Sequence, residues 1–337
     1  MRNSSGRTAR QPGPGFGQVQ NPRIAVDLLG GDDAPAVVVD GALLACGADP
    51  DLLLLLVGPR GVADEVLRAL DEETRARISV LPVDRGVGMG DGASRGADRA
   101  TSIASAAAAV ADGKASALVS AGARGATVTA AVIAIGRLPH VYRPALAAVL
   151  PTPVGRTVLL DVGAGMQARP VDLIQHGALG IGYARVVLGL TEVRVGLLSV
   201  GSEPGKGDRL RRAADAALRA HPLPGGARYI GLVEGGDVVT GARADVVITD
   251  GFTGNVLLKG VEAALSGVRP RSPEDIPRAA ALLGVSGTVV VCHGAATGAE
   301  VASGIGLAAT LSEFELPRRL AGVGSRTGLI TNPEVSR

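Results

Sequence analysis

Aromatic residues and cysteines are scarce in this 337-residue chain. It contains no tryptophan, and aromatic residues make up 2% of it. Proteins that bind nucleic acid combine stacking aromatics with clustered positive charge, whereas this chain has a formal net charge of +2. The two cysteines, Cys46 and Cys292, lack the spacing of a metal site or a disulfide framework. Composition therefore argues against a nucleic-acid partner and a zinc site, and it predicts a cytoplasmic, reducing location.

Long hydrophobic runs are also missing. The strongly apolar run at 52–57 is far shorter than the roughly 18 residues that span a bilayer, and it is typical of a strand buried on both faces. Residues 1–22 are rich in Gly, Pro, Ser and Gln and hold no apolar stretch long enough for a signal peptide. We expect residues 1–22 to be a disordered tail and residues 23–330 to form a single two-lobed α/β domain.

Apolar runs and helical patterns alternate along the chain after the tail. Apolar residues make up 46% of the sequence, and the mean hydropathy of +0.29 favours compact folding. Strands are predicted near 23–28, 51–57, 77–82, 116–120, 145–150, 156–161, 194–200, 228–233, 245–249 and 288–292. Helices are predicted at 34–45, 62–70, 101–112, 125–136, 170–188, 208–220, 253–265 and 299–312. The alternation predicts an α/β fold with a mostly parallel sheet and helices on both faces. A Pro/Arg-rich stretch, 268–277, is predicted to be a surface connection.

Six of the predicted strands run directly into loops of glycine and small polar residues. In open α/β sheets the carboxyl ends of neighbouring strands form one crevice, so we expect these loops to converge on a site rich in backbone N–H donors. Such a site binds an anion. Its candidate binding residues are Gly30, Gly31, Asp32, Ser120, Gly122, Arg124, Gly163, Glu203, Gly207 and Gly251.

The loop at 201–207, GSEPGKG, is similar to a phosphate-binding loop. Its glycine spacing is one residue short of G-x-x-x-x-G-K-[ST], and no Ser or Thr follows Lys206, which argues against a nucleotide triphosphatase. Lys206 is either a point charge beside a phosphate or a solvated lysine on an ordinary turn. The basic stretch that follows, Arg209 to Arg219, is either a solvated helix face or a docking surface for an acidic partner.

Two further motifs carry little weight. Residues 92–96 match G-x-S-x-G, but a glycine-rich loop precedes them instead of the strand that a nucleophile elbow needs, so we expect a mobile loop. No G-x-G-x-x-G occurs, which argues against a dinucleotide enzyme.

Four polar residues stand at strand ends or helix starts. His293 follows an apolar run and precedes a glycine, where an imidazole can face the crevice or lie in the core. Asp161 and Asp250 each end a strand and begin a glycine loop, a position that favours capping and loop bracing. Asn255 can offer its amide to a developing oxyanion or cap a helix.

Taken in order, the segments resemble the phosphate acyltransferase family. The matching stretches are IAVD through GGDDAP at 24–35, VSAG at 119–122, GRLP at 136–139 with RPA at 143–145, LDVGA at 160–164, YARVVLG at 183–189, VGLL at 195–198 with Gly201, Glu203, Lys206 and Gly207, IG at 230–231, VEG at 233–235, DGF at 250–252 with GNV at 254–256, and HG at 293–294.

The resemblance implies an enzyme that makes acyl phosphate from acyl carrier protein and inorganic phosphate for phospholipid synthesis. It implies a Rossmann-like αβα sheet of the isocitrate/isopropylmalate dehydrogenase type, a homodimer, and no metal or cofactor. The donor is acyl carrier protein or acyl-CoA, and the acceptor is phosphate or another small molecule. We assign phosphate or oxyanion charge to Lys206, bracing to Asp250 and Asp161, and hydrogen bonding to Asn255 and His293.

Several polar residues of the family pattern are replaced in this chain. The family has His at the position of Asp33, Asn-Thr at Ala123-Arg124, Asn at Gly165, a second acid at Ser202 and two serines at Ala295-Ala296. A guanidinium at position 124 can hold a carboxylate or phosphate bidentately, whereas the lost donors weaken oxyanion support. Only residues 260–287 fill the place of a long helical excursion, so the family's dimer geometry and membrane contact do not carry over directly.

Two hypotheses are left open by the sequence. In the first, the chain is an acyltransferase that uses phosphate, or one specialised to another acceptor or to a secondary-metabolite pathway. In the second, it is a catalytically silent relative that binds carrier protein or partner enzymes as a scaffold.

Overall fold

The computed structural model describes residues 21–68, 70–266 and 279–324, and residues 1–20 of the predicted tail and the predicted connection at 268–277 lie outside them. The strands of the described chain are β1 (Arg23–Asp27), β2 (Leu53–Gly58), β3 (Ile78–Pro82), β4 (Ala117–Ser120), β5 (Ala145–Thr152), β6 (Gly155–Leu160), β7 (Arg194–Leu198), β8 (Arg228–Val233), β9 (Val246–Ile248), β10 (Ala279–Leu283) and β11 (Thr288–Cys292). The predicted domain limit at residue 330 stays a prediction.

The helices cover both faces of the sheet. They are α1 (Ala36–Ala48), α2 (Arg60–Arg68), α3 (Glu72–Ala76), α4 (Ser102–Ala111), α5 (Arg124–Ala134), α6 (Pro170–Leu188), α7 (Arg209–Ala220), α8 (Gly235–Thr240), α9 (Gly251–Ser266), α10 (Gly298–Glu313) and α11 (Leu316–Gly324). None of these described helices has the length and apolarity that a membrane-spanning segment needs.

All eleven strands join one sheet in the order β3-β2-β1-β4-β11-β10-β5-β6-β9-β7-β8. Strands β1 to β4 and β11 are mutually parallel, and so are β6 to β9. Between these two sets, the pairs β11–β10, β10–β5 and β5–β6 are antiparallel. The two parallel halves therefore run in opposite directions.

The core consists of two apolar layers, because strands buried on both faces direct alternate side chains to opposite sides. Along β1, Val26 belongs to the layer under α1, α6, α10 and α11, while Ala25 belongs to the layer under α4, α5 and α9. This two-sided packing confirms the predicted α/β fold class.

The opposed halves correct one expectation. The carboxyl ends of β4 and β6 lie at opposite edges of the sheet, so the glycine loops do not share one edge as predicted. Convergence comes instead from helices α5 and α9, which lie over the same face of the sheet and bring residues of the two halves together.

The segment predicted to be a mobile loop, 92–96, contains a short 3-10 helix, Ala93–Ala97, packed against the start of α5. Gly96 faces the backbone of α5, where an added Cβ would lie 2.1 Å from the carbonyl oxygen of Ala126. Only glycine allows this approach, which fixes the segment beside Arg124.

Candidate functional site

Loops from the first half of the sheet meet around the end of β1. The Asp27 carboxylate is buried and accepts hydrogen bonds from the Ser102 hydroxyl (2.6 Å) and the Ser120 hydroxyl (2.8 Å). Burial raises the pKa of Asp27, and the hydroxyl hydrogen bonds offset part of that rise. An added Cβ at Gly30 would lie 2.7 Å from the Gly122 nitrogen, so glycine is required where these two loops touch. Asp27 therefore holds together the predicted anion loops through Ser102 and Ser120.

The turn after β11 joins this group of loops. The Asp32 N–H donates to the Gly294 carbonyl at 2.8 Å, and the Ala295 N–H donates to Nδ1 of His293 at 3.2 Å. Helix α10 begins directly afterwards with a capping box, in which Thr297 and Glu300 each accept the other's backbone N–H. The imidazole of His293 is thereby held in place near Asp32.

Asp161 organises the loop after β6. Its carboxylate is fully buried and accepts four backbone N–H groups, from Leu146, Gly163, Ala164 and Gly165, at 2.7 to 3.0 Å. All four bonds go to backbone donors. These bonds hold the loop after β6 against the start of β5.

Asp250 fixes the start of α9. It is buried and accepts from Arg211, from the Thr253 N–H (3.0 Å) and from the Thr253 hydroxyl (2.8 Å). Burial raises the pKa of Asp250, but the Thr253 hydrogen bonds and the Arg211 charge outweigh it, and the pKa lies below its usual range. Arg211, for which the sequence left a solvated face and a docking surface open, forms ion pairs with Asp250 and Asp208.

The two halves of the sheet meet between α5 and α9. Asn255 donates from Nδ2 to the Val162 carbonyl at 3.1 Å. Gly163 has φ +135°, and a Cβ there would lie 3.0 Å from the Asn255 amide nitrogen and 3.4 Å from Cδ of Arg124. The loop after β6 therefore fits between these two side chains only as glycine.

A narrow cavity of about 20 Å³, little more than room for one water molecule, lies next to this junction. Its polar lining residues are Arg124, Glu262 and His293, and the rest of its wall is mainly apolar. Burial lowers the pKa of Arg124, opposed by Glu262, and burial raises the pKa of Glu262, opposed by Arg124. Burial, then the charges of Lys259 and Arg124, lower the pKa of His293. The histidine is therefore neutral at neutral pH.

Lys259 was missed by the sequence reading. Its Nζ lies 3.4 Å from Nε2 of His293. It is four residues after Asn255, so the two side chains share one face of α9. That spacing was the available signal, although a lysine in a helix is normally read as a solvated residue. Glu262, one turn further along, was missed for the same reason.

Lys206, Glu203 and Gly207 lie away from this cavity. Lys206 is exposed, does not line the cavity, and forms no hydrogen bond or ion pair through its side chain with any described residue. Its loop borders an open groove of about 950 Å³, mouth included, on the other side of α9. The groove walls include Leu198, Val200, Gly207, Phe252, Val256 and Leu257.

The structure thus divides the predicted site residues into two groups. One group converges where α5 and α9 meet, and it contains Gly30, Gly31, Asp32, Ser120, Gly122, Arg124, Asp161, Gly163, Asp250, Gly251, Asn255 and His293. The other group, on the groove side, contains Glu203, Lys206 and Gly207. The cations beside the cavity are consequently Arg124 and Lys259, not Lys206.

Comparison with known proteins identifies relatives over most of the chain. A family model described as a fatty acid synthesis protein matches residues 22–280. The phosphate acyltransferase of Thermobifida fusca is 38% identical, over 91% of this chain and 93% of its own length. That of Heliobacterium modesticaldum is 35% identical, over 81% of this chain and 88% of its own length.

Solved structures share the fold at low sequence identity. A phosphotransacetylase from Streptococcus pyogenes superposes with a TM-score of 0.61 at 14% identity, covering 87% of this chain and 94% of that one. A 4-hydroxythreonine-4-phosphate dehydrogenase from Klebsiella pneumoniae gives 0.52 at 16% identity, covering 88% and 100%. These likenesses support the Rossmann-like architecture, while the sequence relatives decide membership: the chain belongs to the phosphate acyltransferase family.

Proposed function

We propose that this acyltransferase moves an acyl group from an acyl carrier protein thioester to inorganic phosphate, releasing acyl phosphate and the free carrier thiol. Family membership supports the reaction class. The observation that carries the proposal is the cavity between α5 and α9, which Arg124 and His293 line, with Lys259 Nζ 3.4 Å from the His293 imidazole. Clustered donors of this kind stabilise an anionic acceptor and the charge that develops in acyl transfer.

The reaction requires positioning of the phosphate and the thioester more than activation of a nucleophile. Phosphate is already an oxyanion at neutral pH. Its oxygen attacks the thioester carbonyl carbon, a C–O bond forms, the C–S bond breaks, and the departing thiolate takes a proton from water. Holding the two reactants in line contributes much of the rate enhancement in such a transfer. Asp161 and Asp250 contribute by bracing the loops that carry Gly163 and α9.

In the transition state, negative charge develops on the thioester carbonyl oxygen and on the departing sulfur. Donors near that position are the second N–H of the Asn255 amide, the backbone N–H groups at the start of α5, and the cations of the cavity. The α5 start has no side-chain cap, which leaves its first N–H groups available.

The groove on the other side of α9 from the cavity provides an apolar binding surface for the acyl chain. Val200, Phe252 and Val256 are 86%, 63% and 58% exposed, and all three line the groove. The charged residues that line the groove, Arg211 and Asp208, pair with each other, so the lining carries no net charge. A neutral apolar groove favours an acyl chain longer than acetyl. Homodimer assembly and a cytoplasmic location stay predictions from the sequence.

A panel of acyl carrier thioesters of increasing chain length, incubated with the chain and phosphate, tests the proposal. Free thiol and acyl phosphate are followed together by mass spectrometry. We expect both products to appear in equal amounts. Thiol release without acyl phosphate contradicts phosphate as the acceptor. If no thioester gives free thiol or acyl phosphate while carrier protein still binds, the scaffold hypothesis is favoured.

A further inference from the structure

Residues 86–97 form a strap across the outside of the loops that follow β1 and β11. At its beginning, a Cβ added to Gly86 would lie 2.9 Å from Cβ of Leu29, which follows β1. Near its end, Gly96 lies against the backbone of Ala126 in α5. A side chain at either glycine would displace its neighbour, so close packing fixes the strap at both ends.

The strap also contacts the residue that follows Arg124. Its 3-10 helix, Ala93–Ala97, packs against the start of α5, and a Cβ at Gly125 would lie 2.9 Å from Cβ of Ala93. Arg124 lines the cavity. The strap therefore lies directly beside one polar residue of the site.

Met89 contacts the residue that follows His293, a second polar residue of the cavity. Gly294 has no room for a side chain, because an added Cβ would overlap Cε of Met89. The Asp32 N–H donates to the Gly294 carbonyl at 2.8 Å, so the methionine lies over a turn that joins two loops of the site. Met89 is 40% exposed, which places it at the boundary between this turn and solvent.

A small hydrogen-bonded turn holds Met89 in this position. The Asp91 N–H donates to the Gly88 carbonyl at 3.0 Å, and the Gly88 N–H donates to the Asp91 carboxylate at 2.9 Å. The turn therefore presents a flexible apolar side chain, which can adapt its shape to the group that it contacts.

We infer that Met89 is a specificity-determining residue, which keeps water away from the thioester carbonyl so that phosphate takes the acyl group. The inference rests on the proposed function, which places that carbonyl near His293 and the start of α5. In the competing reaction a water oxygen attacks the carbonyl carbon, a C–O bond forms and the C–S bond breaks. The attacking water loses a proton and the departing thiolate gains one. Phosphate is attracted by the cations of the site, whereas uncharged water is not attracted in this way and is displaced by an apolar side chain.

The ratio of free acid to acyl phosphate tests the inference. The full chain is incubated with acyl carrier thioester and phosphate in ¹⁸O-labelled water, and both acyl products are measured by mass spectrometry from the earliest time points. Acid formed directly from the thioester appears together with free thiol, whereas acid formed by decay of acyl phosphate appears after a lag. In Met89→Ala we expect the initial ratio to rise about tenfold or more, because water then reaches the carbonyl.

Two variants serve as controls. Met89→Leu keeps an apolar side chain of similar volume and should retain the parent ratio within about twofold. Leu44→Ala shortens an apolar side chain of similar exposure, 47%, on α1 and should leave the ratio unchanged. A folding defect alone lowers thiol release without changing the ratio, so the ratio separates a specificity role from a structural one.

An unchanged ratio in Met89→Ala overturns the inference, and so does an equal rise in Leu44→Ala. Amide hydrogen exchange without any thioester measures water exclusion separately. The N–H groups of Asp32 and Ala295 donate within the loops under Met89, and they should exchange faster in Met89→Ala than in the parent chain. Equal exchange in both chains contradicts water exclusion by Met89.

The outcome is separate from that of the proposed function. Faster exchange in Met89→Ala, in a chain that releases no thiol from any thioester, supports water exclusion and contradicts the reaction. Acyl phosphate formed by Met89→Ala at the parent ratio supports the reaction and contradicts the inference.

Discussion

Replacing Asp161 by asparagine is expected to destabilise the chain by about 3 kcal/mol, because the carboxylate organises the loop that joins the two halves of the site. One carboxylate oxygen accepts from Leu146, Gly163 and Ala164, and the other accepts from Gly165. An asparagine oxygen can keep the first three bonds. Its amide nitrogen then faces the Gly165 N–H, and a buried donor without an acceptor costs about 1–3 kcal/mol.

The three retained bonds also weaken. Bonds to a charged acceptor are worth about 1.5–3 kcal/mol and neutral ones about 0.5–1.5 kcal/mol, a loss of roughly 1 kcal/mol for each. These losses together reach about 4–6 kcal/mol, and removing the buried charge returns part of them as recovered desolvation cost, which leaves a net loss of about 3 kcal/mol. The loop that fits between Arg124 and Asn255 should become less well placed, so turnover is expected to fall as well.

Urea unfolding of Asp161→Asn measures this loss, with Asp51→Asn as an exposed control. We expect an unchanged m-value, a lower midpoint for Asp161→Asn and almost no change for the control. A loss below about 1 kcal/mol would refute the argument that the four bonds carry the loop.

Three further perturbations follow from the same contacts. The pKa of Asp250 is lowered in the folded chain, so its contribution to stability is complete above the unfolded pKa of about 3.9 and is lost as the pH falls through the folded value. The urea midpoint should therefore fall less on acidification in Asp250→Asn than in the parent chain. An equal fall in both contradicts the assignment. Val256→Asp is expected to reduce turnover of long-chain thioesters at least tenfold while sparing acetyl thioester, and Val154→Asp, at an exposed site outside the groove, should change neither. Gly96→Ala places a Cβ against the Ala126 carbonyl and should cost about 1–3 kcal/mol, whereas Gly90→Ala, with open space around it, should be neutral by thermal unfolding.

The sequence predicted most of the fold because local patterns determine most of its elements. A run such as Leu54 to Val57 is apolar on both faces and is therefore a buried strand wherever it pairs. Strand β10 was missed, since its sequence AAALL has no β-branched residue and directly follows a Pro/Arg-rich stretch. Strand direction could not be predicted either, because an apolar run carries no information on which way the strand crosses the sheet.

Only the part of the site that depends on local sequence could be predicted. Glycine loops and strand-end aspartates can be recognised from local sequence, and Asp161 and Asp250 accept hydrogen bonds from backbone N–H groups that follow them. Lys206 drew attention because its loop is similar to a phosphate-binding loop, yet it lies outside the cavity. Lys259 and its contact with His293 depend on the packing of α9 across the two halves of the sheet, which no local pattern records.

Transfer of isotopically labelled oxygen tests the central claim most directly. The chain is incubated with acyl carrier thioester and phosphate labelled with ¹⁸O at every position, and the mass of the acyl product is measured. If a phosphate oxygen attacks the acyl carbon, the acyl phosphate carries every labelled oxygen. A released carboxylate whose newly gained oxygen comes from water, with no labelled acyl phosphate, would contradict the account.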